Sequence, residues 1–475
     1  MTSIWHDTTV GAMQSVVIKL LDTMNNMNVR SQRKMRDSGV AWIGEVPEGW
    51  GVSKIKHLAT QRDSLFIDGD WINSDVIVSA GVRYLTSGNV GPGYFKNQGD
   101  GYISSKTFSD LHCLKVFPGD LMMCRLNEPI GRACIVPSGE EYYVIAVDNV
   151  VLRPDSGNVR RYLMYALNCE GFSKEAYMAA AGTTMKRISR SELGNLWLPI
   201  PPEAQQQAIA DYLDRECGKI DALRTKIEAQ ISDLATYKKS VITEAVTGKC
   251  KIENGEWKMR PRTELRDSGI AWIGEVPEGW TCSRVRYHFE IITGSGFKPE
   301  IQGRNSGDYP VCKASDISAA SKNLLSAANW ITLDEARRYK FNIIPQGSVL
   351  MAKIGEAMRK NNRAIAKLNC CLDNNCQGLS CVNIHSDFAY YLLTQVDMAW
   401  FDNGGTIPCL NNSQLKDCRI AVPSHPEQRE IADYLDKKCG SIDAAVAKCR
   451  AQLEDLATYK KSLIFECVTG KKEIA

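Results

Sequence analysis

Apolar residues recur every seven positions along two stretches of the chain, with charged and polar residues between them. In the first stretch the repeat consists of Leu213, Ile220, Ile227, Leu234 and Val241. In the second stretch it consists of Leu435, Ile442, Cys449, Leu456 and Leu463. A sustained seven-residue repeat is typical of a helix that packs along its length against a partner helix. The pattern therefore predicts two long helices, each of which needs a partner.

The two stretches are copies of each other. Residues 209–249 match residues 431–471 at 28 of 41 positions, at an offset of 222. The second copy opens with a Ser-His-Pro-Glu sequence at Ser424, which is typical of a capping box. Each copy closes on a glycine, Gly248 or Gly470, where a left-handed helix cap is expected. About 44 helical residues span roughly 65 Å, which is too long for the interior of one ordinary domain.

A second repeat precedes each variable part of the chain. Residues 36–50 and residues 266–280 agree at 14 of 15 positions, at an offset of 230. Glycine, proline and two tryptophans in so short a segment favour a packed turn at the entrance of a strand. We call these segments joint one and joint two, and we expect them to be fixed connections between modules.

Two variable modules lie between the joints and the long helices. Module one covers residues 51–200 and module two covers residues 281–422, and each has the size of an ordinary domain. Their sequences barely resemble each other, whereas the joints and helices around them are nearly identical. This contrast indicates one shared task performed on two different targets.

Alternation of apolar and polar residues predicts mixed structure in both modules. In module one we expect strands at 82–86 and 142–152, a hairpin of 114–117 with 121–124, and helices at 160–168 and 173–180. In module two we expect counterparts at 309–313, at 344–349 around a Pro-Gln-Gly turn, and at 350–354, with a helix at 387–395. The predicted fold class is α+β, with a twisted, mostly antiparallel sheet in each module.

Composition narrows the class of protein. A chain of 475 residues without an apolar run of eighteen predicts two to four domains and no membrane span. Its 17 cysteines form no Cys-x-x-Cys pair, so we interpret them as reduced cytosolic thiols. The one cluster, which contains Cys370, Cys371, Cys376 and Cys381, fits no zinc spacing. A net charge of only +3 means that a nucleic-acid role requires local basic patches.

An ordered set of motifs, present in both halves, resembles one known family. It consists of the joints (at Asp37 and Asp267), the turns at 118–121, 130–131 and 182–184, the Pro-Pro-x-x-x-Gln helix entry, and IADYLD followed by TYKKS and TGK. The chain resembles the specificity subunit of type I restriction–modification systems over nearly its whole length after residue 34. Each motif alone is weak, but the ordered set is specific.

The resemblance implies a particular architecture. The modules would be two target recognition domains, joined by two long helices that pair as an antiparallel coiled coil with an internal pseudo-two-fold. Residues 1–28 match nothing in the second half, and we expect a small helix or a disordered extension there. The implied divisions are 1–34 (extension), 35–200 (joint one and recognition domain 1), 201–249 (helix 1), 250–264 (linker), 265–422 (joint two and recognition domain 2) and 423–475 (helix 2).

The resemblance also implies function and partners. Each module would read one half of a bipartite, asymmetric site in double-stranded DNA, and the helices would set the distance between the halves. The two repeats would dock two methyltransferase (modification) subunits, with restriction/translocase subunits in the nuclease form. The chain would hold no cofactor, because S-adenosylmethionine, ATP and Mg²⁺ belong to the partner subunits of this cytoplasmic complex.

Basic and amide side chains near turns are the candidates for DNA contact. Arginine and lysine hold phosphates, arginine also pairs with guanine edges, and asparagine pairs with adenine. In module one the candidates are Arg125, Asn127, Lys186, Arg187 and Arg190. In module two they are Lys353, Arg359, Lys360, Arg363, Asn411 and Asn412. For each of them the alternative is a solvated surface charge or a turn-capping asparagine.

Aromatic residues of the repeats are the candidates for partner binding. They are Trp42 and Trp272 in the joints and Tyr237 and Tyr459 in the helices. The alternatives are a packed joint for the tryptophans and an ordinary solvated helix face for the tyrosines.

Two other classes of function remain open on the sequence. The first is an enzyme with a hidden site, although the chain has no Asn/Asp-Pro-Pro-aromatic motif and no phosphate-binding loop. Thr293-Gly294-Ser295-Gly296 is a lone glycine pair that favours a loop. The second is a coiled-coil scaffold whose two modules bind proteins instead of DNA.

A heptad inserted into both long helices tests the idea that the helices act as a ruler. Seven residues add roughly 10 Å, which is near three base-pair steps of DNA. We expect the unread spacer of the DNA site to lengthen while both half-sites stay the same, as measured by mapping the modified site. A change in the half-sites would contradict the idea.

Overall fold

The computed structural model describes residues 33–182, 185–253 and 256–474. The chain divides into two compact units, the first formed by Met1–Glu228 with Arg450–Ala475 and the second by Ala229–Cys449. Each unit contains one joint, one module and parts of both long helices. No helix of the described residues is long and apolar enough to cross a membrane. The expected extension falls almost wholly on residues 1–32, outside the described part.

The first unit follows the predicted order of joint, module and helix. Its elements up to the first long helix are β1 (Met35–Asp37), β2 (Glu45–Pro47), β3 (Gly51–Lys54), β4 (Leu65–Asp68), β5 (Val82–Leu85), β6 (Tyr102–Ile103), α1 (Ser105–Asp110), β7 (Leu121–Cys124), β8 (Ala133–Ile135), β9 (Val144–Ile145), β10 (Asn149–Arg153), α2 (Arg160–Leu167), α3 (Glu170–Ala179), α4 (Arg190–Asn195), β11 (Trp197–Ile200) and α5 (Glu203–Val246).

The remaining elements repeat this order. They are β12 (Cys250–Glu253), β13 (Glu256–Met259), β14 (Leu265–Ile270), β15 (Gly274–Pro277), β16 (Thr281–Arg284), β17 (Phe289–Thr293), β18 (Tyr309–Cys312), α6 (Ala314–Ala319), β19 (Asn323–Leu324), β20 (Trp330–Ile331), α7 (Leu333–Arg338), β21 (Val349–Ala352), α8 (Glu356–Arg359), β22 (Arg363–Ala366), β23 (Cys371–Leu372), β24 (Cys376–Cys381), α9 (Ser386–Gln395), α10 (Asn412–Asp417), β25 (Arg419–Val422) and α11 (His425–Val468). Short 3-10 turns occur at Ile55–Leu58, Ser74–Val76, Ser87–Asn89, Arg262–Glu264, Val285–Tyr287, Pro299–Ile301 and Met398–Phe401.

Module one is built on an antiparallel sheet with the strand order β4-β10-β7-β8. Beside it lies the sheet β6-β5-β9, in which β5 and β9 run parallel. The predicted strand at 82–86 and the two predicted helices are confirmed by β5, α2 and α3, and the strand-like run at 142–152 divides into β9 and β10. These elements give the α+β class expected from the sequence.

The predicted hairpin of 114–117 with β7 is wrong. β7 pairs with β8 and β10, and residue 116 only bridges Tyr143. The carboxylate of Asp120 closes the intervening turn, because it accepts a hydrogen bond from Phe117 N at 2.9 Å and binds Arg153 at 2.6 Å. The buried carboxylate of Asp120 thus holds the turn that directly precedes β7.

Module two shares the core strand order of module one and adds one strand, β19, which runs parallel to β22. Its main sheet has the order β17-β24-β21-β22-β19, and a second sheet has the order β20-β18-β23 with β18 and β23 parallel. The helix predicted at 387–395 is confirmed by α9, and the turn predicted within 344–349 lies at residues 346–347, just before β21. Two sequences that barely resemble each other therefore share the order of their core strands.

Each joint packs against the ends of two helices within its own unit. Trp50 of joint one donates a hydrogen bond from Nε1 to Gln205 near the start of α5 (2.7 Å), and Pro47 lies against Gly470 beyond the end of α11. Both contacts recur in the second unit, where Trp280 binds Glu427 at the start of α11 (3.1 Å). The joints are nearly identical because the helix ends they fit are nearly identical.

The glycines that end the long helices have the left-handed conformation expected of them. Gly248 has φ +72° and Gly470 has φ +71°. A Cβ added to Gly248 would lie 2.6 Å from Cγ of Pro277, and one added to Gly470 would lie 2.5 Å from Cγ of Pro47. Glycine is therefore required at each position for two reasons. The backbone is left-handed there, and the joint approaches too closely to leave room for a Cβ.

The segment at 250–264, expected to be a linker, contains the antiparallel strand pair β12 and β13. Trp257 stacks on Tyr434 of α11 with 4.2 Å between the ring centroids. Arg260 binds Glu427 on the same helix. Glu427 thus bonds to both Trp280 and Arg260.

Every apolar position of the two seven-residue repeats is buried, from Leu213 in α5 to Leu463 in α11. Ion pairs join the two helices within each unit. In the first unit Lys460 binds Asp221 at 2.7 Å, and in the second unit Lys238 binds Asp443 at 2.7 Å. The same two positions of the repeat form both pairs, with the roles of the helices exchanged.

The three basic candidates for DNA contact at 359–363 differ in their exposure. Arg363, the first residue of β22, is only 4 % exposed, and its guanidinium donates to Asn362 O (2.8 Å) and to Asn361 Oδ1 (2.7 Å). Burial lowers the pKa of Arg363 to about 9. Arg359 and Lys360 remain exposed. Arg363 is thus part of the interior of module two and is not available to contact DNA.

Replacing the cap glycines by alanine should destabilise the chain. We expect Gly248→Ala and Gly470→Ala each to lower the free energy of unfolding by about 2–4 kcal/mol, from backbone strain and overpacking. Calorimetry of the purified chain measures the effect. Gly218→Ala and Gly440→Ala are matched controls inside the same helices, because an added Cβ meets nothing within 4 Å there. They should stabilise by about 0.5–1 kcal/mol, and a uniform response of all four variants would refute this account.

Replacing Arg359 and Arg363 by glutamine, one at a time, should distinguish an arginine that stabilises the fold from one that only carries a surface charge. Arg363→Gln should cost about 2 kcal/mol or more of unfolding free energy, because a buried hydrogen-bonded group is lost. Arg359→Gln should stay within about 1 kcal/mol, because its ion pairs are exposed. Equal losses in thermal unfolding would show that Arg363 is not a structural residue.

Candidate nucleic-acid interface

Two groups of candidate residues that are far apart in the sequence of module one form one edge of its fold. The segment 125–127 leaves β7 and runs beside the segment 186–188. Ile188 N donates to Arg125 O at 3.0 Å, and Asn127 N donates to Lys186 O at 3.3 Å. Because the two segments are hydrogen-bonded neighbours, all five candidates of this module lie close together.

Two aspartates hold the arginines of this edge. Asp148 binds Arg187 at 2.9 Å, while Asp68 binds Arg190 at 3.2 Å and Arg125 at 3.2 Å. The sequence analysis missed both aspartates. Asp68 ends β4 and Asp148 precedes β10, and only the strand order of the sheet brings them to Arg125 and its neighbours.

Arg125 differs from the other arginines because it is only 6 % exposed. It donates to the carbonyl oxygen of Val147. Burial lowers the pKa of Arg125, and the charge of Asp68 partly opposes this shift. Arg125 therefore supports the edge from within, whereas Arg187 and Arg190 are exposed on it.

A cleft of about 570 Å³ opens at this edge. It is lined by Arg125, Ala179, Ala181, Gly182, Arg187, Ser189 and Glu192. Beside it, Lys186 Nζ lies 3.5 Å from the centroid of the Tyr177 ring, a cation–π contact. The glycine–threonine turn predicted at 182–184 is described only at Gly182, since residues 183 and 184 lie outside the described part.

Module two has the same backbone arrangement at the corresponding edge. Leu410 N donates to Lys353 O at 2.9 Å, as Ile188 N does to Arg125 O. Lys353 N donates to Asn375 O at 2.8 Å, as Arg125 N does to Asp148 O at 2.9 Å. The two edges thus share their backbone hydrogen bonds and differ in their side chains.

The asparagines of module two lie on this edge. Asn411 caps α10, because its side chain accepts hydrogen bonds from Ser413 N (3.1 Å) and Gln414 N (3.2 Å). Ser189 caps α4 in the same way, by accepting from Glu192 N at 3.0 Å. Asn411 therefore has a structural role that its sequence context allowed, and Asn412 follows it as the first helical residue.

Arg359 reaches the same edge of module two through an ion pair. Its Nη2 lies 3.1 Å from Asp402 Oδ2, and Asp402 bridges to Leu410 through the backbone. Lys360 is the next residue and is exposed. The structure thus connects Arg359 with the segment that precedes Asn411.

The candidates for partner binding pack within their own units. Trp42 contacts Phe172 edge to face, with 6.4 Å between the ring centroids. Trp272 lies beside Trp400 at 6.0 Å and donates to the carbonyl oxygen of residue 419. Tyr237 is half-buried and has Lys438 Nζ 5.5 Å from its ring centroid, and Tyr459 is buried.

All the cysteines are free thiols, and most are buried. Three members of the cluster, Cys370, Cys371 and Cys376, are buried in module two, and Cys381 is half-buried. Within residues 33–182, 185–253 and 256–474, no group of three or more histidine, cysteine, aspartate or glutamate side chains has the geometry of a metal site.

Comparison with known proteins identifies the family. The model of the type I restriction modification DNA specificity domain matches residues 47–233 and 277–454, which is more than half of the chain. A putative type I restriction enzyme MjaX specificity subunit of Methanocaldococcus jannaschii is 23% identical over 445 residues, covering 90% of this chain and 95% of that protein. The type I restriction enzyme EcoBI specificity subunit of Escherichia coli is 27% identical over 330 residues, or 66% of this chain and 65% of that protein.

A similar fold is found in a solved structure. A chain from work on complex assembly and conformational transition of the type I R-M system superposes with a TM-score of 0.70 at 14% sequence identity. The match covers 90% of this chain and 99% of that one. At this identity the likeness concerns the fold. With two matched specificity domains, this chain belongs to the type I restriction modification DNA specificity family, as a non-catalytic subunit that provides DNA sequence specificity.

Proposed function

We propose that each module reads one half of a bipartite, asymmetric site in double-stranded DNA. The observation that carries this proposal is the shared edge of the two modules. Its backbone hydrogen bonds at Arg125 and Lys353 are the same, while the side chains around them differ. A common frame that presents different side chains is suited to reading two different base sequences.

The reading residues of this proposal are the candidates at the two edges whose side chains are exposed or half-buried. In module one they are Asn127, Lys186, Arg187 and Arg190. In module two they are Lys353, Arg359, Lys360, Asn411 and Asn412. The buried Arg125 acts indirectly, and Arg363 is left out because its guanidinium is bonded inside the module.

The proposal also treats α5 and α11 as an antiparallel coiled coil with a pseudo-two-fold. The exchanged ion pairs Lys238–Asp443 and Lys460–Asp221 support it, because a two-fold makes residue i meet j and j meet i. Dimeric DNA readers separate their half-sites by about one helical turn, roughly 34 Å. In this chain the paired helices would fix that separation.

The joints and the long helices occur twice in the chain, so they offer two similar surfaces to two copies of one partner. We assign the repeated joints and helix faces, with Trp42, Trp272, Tyr237 and Tyr459, to the docking of two methyltransferase subunits. Restriction/translocase subunits would join in the nuclease form. Family membership implies no cofactor in this chain, so S-adenosylmethionine, ATP and Mg²⁺ are assigned to those partners, in a cytoplasmic complex.

Mapping of modified bases in host DNA by long reads tests the proposal. With the partner methyltransferase present, we expect a bipartite, asymmetric motif that appears only when this gene is present. Exchanging module one for that of a related subunit should change one half of the motif and leave the other half unchanged, because each module reads its own half.

The salt dependence of DNA binding separates this function from a protein-binding scaffold. Phosphate contacts make affinity fall steeply with salt, whereas a scaffold has no such contacts. A motif that does not depend on the gene, together with no salt-sensitive binding of the assembled complex to DNA, would contradict the proposal. Methylation by the purified chain alone would indicate an enzyme instead.

A further inference from the structure

The edge of module one contains carboxylates among its arginines, which is unusual for a surface that serves only to hold phosphates. Asp148 Oδ1 lies 2.9 Å from Arg187 Nη2, and Asp68 Oδ2 lies 3.2 Å from Arg190 Nε. Glu192 lines the same cleft. The three carboxylates therefore balance the charges of the three arginines that lie there.

This charge balance argues against a simple phosphate cradle. A carboxylate beside a guanidinium weakens its attraction for a phosphate, since the two negative groups repel each other. The same carboxylate restricts where the guanidinium can lie, because the ion pair holds the two groups together. A fixed guanidinium suits a partner that has no formal charge and needs exact orientation, such as the edge of a base.

Both surface arginines keep an open side. The side chains of Arg187 and Arg190 are 44% and 43% exposed despite their ion pairs. Arg190 is held at two points, because its Nη1 also donates to Phe66 O at 3.1 Å. A guanidinium has five N–H donors, so these contacts leave donors for a ligand.

We propose that Asp148 and Asp68 are positioning residues that present Arg187 and Arg190 to guanine in the half-site read by module one. The inference rests on the proposed function and adds the base class and the residues that orient its readers. Guanine is the base because its O6 and N7 accept the two parallel hydrogen bonds that an arginine fork donates.

Module two lacks this arrangement although its backbone is equivalent. Asn375 occupies the place of Asp148, since both carbonyl oxygens accept the corresponding hydrogen bond from Lys353 or Arg125. Gly294 N donates to Cys376 O as Gly69 N donates to Asn149 O, which puts Thr293 in the place of Asp68.

The reading positions differ as well. Leu410 corresponds to Ile188, so Cys409 stands where module one has Arg187. By the same correspondence Asn412 stands where module one has Arg190. The half-site read by module two is therefore independent of this arginine–aspartate device.

The test compares modified-base motifs in cells that carry the partner methyltransferase and one variant of this gene. Asp148→Asn removes the charge that orients Arg187 and keeps the size of the side chain. In the half-site read by module one, we expect one guanine position to become degenerate, with discrimination against other bases reduced about tenfold. The half-site read by module two should stay the same. Asp148→Glu should retain more of the discrimination than Asp148→Asn.

Asp120→Asn is the matched control. Asp120 forms a buried ion pair with Arg153 in the same module, at 2.6 Å. Its loss should lower the overall extent of modification without making any base degenerate. A purely structural role of Asp148 would give this same result.

Arg187→Lys keeps Asp148 and the positive charge but removes the fork. It should relax the same guanine, and combining it with Asp148→Asn should add no further degeneracy. This variant keeps the inference testable if Asp148→Asn abolishes modification.

The outcomes separate the two levels of proposal. The inference is overturned if the half-site read by module one contains no G·C base pair. It is also overturned if Asp148→Asn and Arg187→Lys both leave that half-site unchanged. In either case the proposed function stands. If the native gene with an active methyltransferase produces no motif, the proposed function falls and this inference falls with it.

Discussion

The packing of each joint against two helix ends is the constraint on which the rest of the structure depends. A proline and a tryptophan of the joint, Pro47 and Trp50 in the first unit, close over Gly470 and hold Gln205. The same contacts recur in the second unit at Gly248. Each joint thereby connects a module to the start of one long helix and to the end of the other.

This constraint explains why sequence identity is distributed so unevenly along the chain. The joint and the helix ends must match each other, and both copies of the joint meet nearly the same helix end. A Cβ at either cap glycine would enter a proline ring of the joint, so neither partner of the contact can change alone. The modules carry no such requirement, because what they share is a backbone arrangement that different side chains can support.

The edges of the two modules show how specificity arises on a common frame. Arg125 and Lys353 occupy equivalent backbone positions, yet one is buried and ion-paired and the other is half-buried. Their neighbours differ more strongly, since the carboxylate of Asp148 corresponds to the amide of Asn375. A change of side chain at these positions alters what the edge can bind without altering the sheet beneath it.

The sequence by itself determined the repeats, the two long helices, their glycine caps and the α+β class of the modules. These features depend on short-range patterns, namely a seven-residue period, a glycine beyond a helix and alternation along a strand. Tertiary structure alone decided that Arg363 is interior, that 250–253 pairs with 256–259, and that 114–117 does not pair with β7. It also decided that Asp68 and Asp148 meet the arginines of module one. These contacts join residues that are up to about 120 positions apart, and strand order, which no local pattern encodes, brings them together.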